Sequence, residues 1–100
     1  MQYSPAILSS TANHLQKVFG VKALPSKDLQ KLLRKLTIIV KHLLNTDLSR
    51  LLHILYRIDV EEQKVKEAML ADNEEAIAEG IAQLIIDREI LKAHIRFTYS

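Results

Sequence analysis

Between Leu29 and Leu44 the apolar residues recur at intervals of three and four, and this spacing constrains the chain more than any other feature. At about 100° per residue, Leu29, Leu32, Leu33, Leu36, Ile39, Val40, Leu43 and Leu44 fall within an arc of roughly 140°, the signature of an amphipathic helix with one face for a core. A strand would send alternate members of that set to opposite faces and bury neither face cleanly. The opposite arc is basic. Lys27, Lys31, Arg34, Lys35, Lys41 and His42 lie within roughly 120° of one another, with Ile38 among them on the outside.

Helix start and stop signals extend this reading to the rest of the chain. Ser4 before Pro5 is an N-cap followed by proline at the first helical position, and Gly20 stands where a left-handed stop belongs, which predicts a helix over 5–19. Pro25 and Ser26 introduce the amphipathic helix over 27–44, and Asn45 can end it. Asp47 caps a short helix over 48–57, expected to be buried through Leu48, Leu51, Leu52 and Leu55. Asp59-Val-Glu-Glu62 has the form of a capping box and predicts a helix over 60–71. Asp72-Asn-Glu-Glu75 repeats that grammar and opens a last helix over 74–97. The expected fold is therefore all-α, a bundle of four to five helices forming a single domain over 1–100.

In the last helix Ile77, Ile81, Leu84, Leu91 and Ile95 follow a three-four spacing that Arg88 interrupts, while Ile85, Ile86 and Ile90 widen the apolar stripe. A stripe that wide calls for contact on two sides, one with the chain's own core and the other with a second copy. Ile85, Ile86 and Ile90 are the candidate interface residues on that reading.

Charge is distributed unevenly. Residues 1–58 hold nine Lys/Arg and two acids, and residues 59–100 hold five Lys/Arg and ten acids, within an overall net charge of +2. The plainest consequence is that the two halves lie against each other and partly neutralise. The sharper ones are head-to-tail association, or an anionic partner for the basic half. Lys27, Lys31, Arg34, Lys35 and Lys41 are the candidate polyanion-binding residues, because lysine and arginine contacts release condensed counterions. Aromatic residues that could stack on single-stranded bases are missing from that stripe. A helix-turn-helix reading of the third and fourth helices would put Glu61, Glu62 and Glu67 toward a major groove, the wrong sign for it.

Motifs for chemistry are scarce. Gly20 and Gly80 are the only glycines, so no glycine-rich phosphate loop exists, and no H-E-x-x-H or G-x-S-x-G occurs. No glutamate has a histidine three residues on, as a di-metal bundle site would require. His14, His42, His53 and His94 are dispersed over four expected helices with no pair at ligand spacing, and read as solvated or hydrogen-bonded structural residues. Glu61, Glu62, Glu74 and Glu75 coincide with first turns, where acids favour the helix dipole. Tyr56 reads as a partly buried aromatic, with Arg57 free to pair with the acidic helix start that follows. Neither a catalytic residue nor a cofactor or metal ligand is expected.

Without cysteine there is no disulfide framework, and the first fifteen residues lack the basic and long apolar segments of a secretion signal, so a cytoplasmic location is expected. No apolar run approaches the ~20 residues of a membrane span. The segment from Leu51 to Val60, LLHILYRIDV, followed by an acidic helix and then by Ile81 to Lys92, IAQLIIDREILK, resembles a family of short, uncharacterised bacterial helical proteins. That resemblance covers about Leu51 to Lys92 and implies a bacterial cytoplasmic protein, with no activity attached. The function expected from the residues is a non-enzymatic protein-interaction or structural module. Its expected partner is a second copy of the chain, as a dimer or larger oligomer, or another protein. Nucleic acid or another polyanion on the basic face is the alternative.

Overall fold

A computed structural model describes residues 4–99, with the side chain of Tyr99 left out. It contains five helices and, among the described residues, no strand: α1 (Pro5–Phe19), α2 (Leu29–Thr46), α3 (Leu48–Ile58), α4 (Glu62–Ala68) and α5 (Glu74–Tyr99). The all-α bundle expected from the apolar spacing is the fold.

The α1 boundaries follow from its two end signals. Ser4 Oγ accepts from the Ile7 amide at 3.2 Å, Pro5 occupies the first turn, and Gly20 ends the helix at φ 66°. The start of α2 differs from expectation. Asp28 is its cap, accepting from the amides of Gln30 and Lys31 at 3.0 and 3.2 Å, while Pro25 and Ser26 belong to the connection. A carboxylate two and three residues ahead of free amides outcompetes a serine placed two residues too early. The connection itself is held down by Gln16, whose side-chain oxygen accepts from the Leu24 amide at 2.7 Å and so fixes Leu24 in the core. Ala23 there adopts φ 57°, a left-handed conformation that costs an alanine about 1 kcal/mol.

Asp47 serves two helices. Its amide donates to the Leu43 carbonyl at 2.8 Å, closing α2, and its side chain accepts from the Arg50 amide at 3.1 Å, opening α3. The capping box expected at Asp59 does not form. Asp59 adopts φ 67° and closes α3, with its amide bonded to Tyr56 and the Val60 amide to Leu55. Aspartate tolerates that left-handed position, and once there it cannot hold the extended backbone of an N-cap. The next helix therefore begins later, at Glu62, with no side-chain cap, and ends at Ala68 rather than at residue 71. Asn73, rather than Asp72, caps α5, accepting from the Ala76 amide at 2.8 Å.

All four other helices pack on α5. Its 26 residues span about 39 Å at 1.5 Å per residue, close to the 37 Å longest extent of the molecule, so it runs the full length as a central post. α1 and α2 both run antiparallel to it. Ser10 and His14 meet Arg96 and Glu89, and Lys41 and Asn45 meet Glu75 and Glu74. On α5 itself Ala78, Ile81, Ala82, Ile85, Ile86, Ile90 and Ala93 are buried, facing Leu8, Ala12 and Leu15 of α1 and Leu32, Leu36 and Val40 of α2 in one core cluster. α3 enters that cluster through Leu51, Ile54, Leu55 and Ile58; Leu48 and Leu52, expected inside, lie half in solvent. α4 lies close on α5, where a Cβ at Gly80 would meet the Ala68 Cβ at 3.5 Å. No helix of the structure is long and apolar enough to cross a membrane.

Candidate functional site

Two surfaces and one buried cluster with the groove outside it carry the groups that could act on something outside the chain. The first surface is the basic stripe of α2. Lys31, Arg34 and Lys35 are exposed on adjacent turns, none with an acidic partner among the described residues, and Ile38 beyond them is 63% exposed. Lys27 lies outside the helix, ahead of its cap. Lys41 is committed elsewhere, its ammonium donating to Glu75 at 3.0 Å at the start of α5. That hydrogen bond and then the Coulombic attraction of Glu75 raise the Lys41 pKa above its ordinary value, with desolvation opposing them and Glu74 adding a lesser attraction. Asn45 adds an amide contact to Glu74. The basic and acidic halves thus meet where α2 ends and α5 begins, and the first half of the stripe is left uncompensated.

The second surface is the outside of α3. Leu48, Leu52 and Tyr56 follow one another at intervals of four and are exposed, Leu52 by 47% and Tyr56 by 84%. Tyr56 is therefore a surface residue rather than the partly buried aromatic expected. The reason is which arc of α3 meets the core: Leu51, Ile54, Leu55 and Ile58 are buried, and Leu52 and Tyr56 lie roughly 110° and 150° from the middle of that arc. Leu52 and Tyr56 form one wall of a groove of about 300 Å³ completed by Leu55, Val60, Val65 and Glu62 from the α3–α4 corner. On the other side of the ridge, Arg50, His53 and Arg57 border a hollow against Val18. An apolar ridge thus runs between a basic flank and an acidic one. Arg57 does not pair with the acidic start of α4 as expected; Asp59 is held instead by Arg88 of α5, at 3.1 Å.

The candidate interface residues Ile85, Ile86 and Ile90 do not lie on a surface. The first two have no exposure and Ile90 has 6%, all within the chain's own core. The width of the α5 stripe is explained by α1 on one side and α2 on the other, which removes the need for a second copy there. Exposed apolar residues on α5 lie further on, at Leu91, Ile95 and Phe97.

The buried cluster is a carboxylate in the core. Glu89 has no exposure, and its Oε2 lies 2.6 Å from His14 Nδ1, while Oε1 lies 3.5 Å from the Lys92 ammonium. Side-chain exposure of His14 is 42%, so the ring spans from the buried carboxylate to the surface. Burying a carboxylate costs several kcal/mol unless it is paired, and here one histidine and one lysine supply the pairing. His14 is the hydrogen-bonded structural histidine expected. Glu89 was not singled out by sequence, although a signal existed: Ala82, Ile85, Glu89 and Ala93 are spaced by three and four, which places the glutamate on the arc that faces the core. On the outer side, His14 joins Ser9, Ser10, Asn13 and Lys17 of α1 and Arg96 of α5 around an open groove. Arg96 reaches across it and donates to Ser10 Oγ at 3.1 Å.

Compared with protein-family models, with curated proteins and with solved structures, the chain has no match.

Proposed function

We propose that the protein is a non-enzymatic interaction module that self-associates through the outside of α3. The observation that carries this reading is the exposed line of Leu48, Leu52 and Tyr56 between the basic flank of Arg50, His53 and Arg57 and an acidic flank at Glu62, whose carboxylate lies 3.6 Å from the Lys66 ammonium. A two-fold axis running along the ridge would turn one copy over so that each basic flank faces the partner's acidic flank, with the leucines and tyrosine pressed together between them. An isologous patch has to be complementary to itself, and this one is. Tyrosine at one end of it suits a contact that keeps a polar tip at the rim. The resemblance over Leu51 to Lys92 would place the module in a bacterial cytoplasm.

Size-exclusion chromatography with light scattering tests this directly. The expected result is a dimer that Leu52→Asp converts to a folded monomer. Arg57→Glu should weaken it, and adding Glu62→Arg to that variant should restore it, because the two charges face each other across the axis. A monomer at every concentration would sink the proposal, as would a dimer indifferent to Leu52→Asp.

A second reading is favoured by Lys31, Arg34 and Lys35, three adjacent cations without acidic partners among the described residues. These would hold a nucleic acid or another polyanion. Three phosphate contacts predict that the logarithm of affinity falls with the logarithm of salt at a slope of about −2 to −3, and the pair Lys31→Glu and Lys35→Glu should abolish binding. Binding that ignores salt, or survives both reversals, would rule it out.

A further inference from the structure

The groove between α1 and the end of α5 is lined by an unusual set of groups. Ser9 and Ser10 offer hydroxyls, Asn13 an amide, His14 an imidazole, and Lys17 and Arg96 their cations. Every one of these side chains can donate a hydrogen bond, and no carboxylate is among them. Lys17 and Arg96 have no acidic partner within 4 Å among the described residues. The acid behind His14, Glu89, is fully buried and is faced by Lys92 as well, so it meets the groove only through the imidazole ring. Its effect is to fix that ring, by a 2.6 Å contact on Nδ1, in the groove wall.

From this we propose that the groove is a binding site for the phosphate group of a small ligand. Arg96 presents a planar fork suited to two oxygens of a tetrahedral anion, and its present partner, the Ser10 hydroxyl, is neutral and can be retained or exchanged when the anion arrives. Lys17, one turn from His14 on the same helix, adds a second full charge from the α1 side. Ser9, Ser10 and Asn13 supply neutral donors for the remaining oxygen. A buried ion pair is seldom retained for stability, because apolar replacements of similar shape serve as well or better. Holding a groove-lining histidine in one orientation is a use for Glu89 that an apolar residue could not fulfil. The site is separate from the α3 ridge and from the α2 stripe, and does not depend on either.

The test is a titration of isotopically labelled protein with inorganic phosphate, followed by amide and imidazole NMR shifts, against sodium chloride at matched ionic strength. The expected result is saturable shifts at Ser9, Ser10, Asn13 and His14 with phosphate alone. Losing one charge-assisted contact should weaken binding roughly tenfold or more in each of Lys17→Gln and Arg96→Gln, both surface changes that leave the core intact. The pair Lys31→Glu and Lys35→Glu on α2 should leave the phosphate affinity unchanged. Shifts that never saturate overturn the proposal. So do equal shifts in chloride, or undiminished binding when Lys17→Gln and Arg96→Gln are combined.

Discussion

Glu89 shows how much of this protein turns on a single side chain. It sits among Ile85, Ile86, Ile90 and Ala93 with no exposure, hydrogen-bonded to His14 at 2.6 Å and faced by the Lys92 ammonium at 3.5 Å. Removing one partner leaves the carboxylate stranded, whereas removing the whole pair replaces it with packing. His14→Leu should therefore destabilise the fold by about 2 kcal/mol, while His14→Leu with Glu89→Leu should return to within about 1 kcal/mol of the parent or exceed it. Urea denaturation of the three proteins measures this, and a double variant less stable than the single one would show that Glu89 stabilises by more than its pairing. Thr11 presents the neutral version of the same problem. Its hydroxyl is buried with no hydrogen-bond partner, unlike that of Thr37, which donates to the Leu33 carbonyl at 2.7 Å. Thr11→Val keeps the branched shape and should stabilise by about 1 kcal/mol, read as a raised midpoint in the same urea series.

At the scale of the element, the helices are fixed by their ends as much as by their faces. α1 begins and ends where Ser4, Pro5 and Gly20 indicate, and Asp47 opens α3 as expected. Other aspartates behave differently from their sequence reading because aspartate suits two backbone states. Asp59 could have been an extended N-cap, and tertiary contact with Arg88 accompanies it in the left-handed closing position instead. Asp28, which has the same chemistry, caps α2 in place of Ser26. Asp28→Ala should accordingly cost about 1 kcal/mol of stability and Ser26→Ala a few tenths at most, measured by thermal or urea unfolding. If the two losses came out reversed, the start of α2 would have to be redrawn at Ser26.

For the whole molecule, the central position of α5 governs what the surface can offer. Because α1 to α4 all pack on it, Ile81, Ile85, Ile86 and Ile90 are spent internally, and the exposed apolar residues fall to the outside of α3, to the far end of α5, and to Ile38 and Leu70. Ile86→Asp would put a carboxylate into the core and unfold the chain, and so could not report on association; Leu52→Asp can. The meeting of the charged halves also has a pH signature. Lys41, with a folded pKa raised chiefly by its hydrogen bond to Glu75, contributes stability that is fully present at neutral pH, below its unfolded value. That contribution is lost as pH rises through the raised folded value. Lys41→Met should lie below the parent in melting temperature at neutral pH and converge with it in strongly alkaline solution. The gap will be small, since the pair is solvent-exposed, and a gap that persisted or widened with rising pH would contradict the assignment.

Local chemistry in the sequence was sufficient for the helical class, for all five helix starts to within two residues, and for the inward face of α2, because apolar spacing and end signals act within one or two turns. It was also sufficient for the outward direction of Lys31, Arg34, Lys35 and Ile38, which follows once the opposite arc is buried. Whether Ile85 and Ile86 faced a partner or the core, whether Leu52 and Tyr56 were covered, and which cation Asp59 would meet were decided only by the tertiary structure. Those outcomes depend on which helices surround α5 and which arc of α3 meets the core, and such contacts join residues 29 to 86 positions apart that no local pattern relates. The pairing of His14 with Glu89 is of the same kind. Periodicity places Glu89 on an inner arc and His14 at the edge of one, and only the packing of α1 along α5 brings the two together.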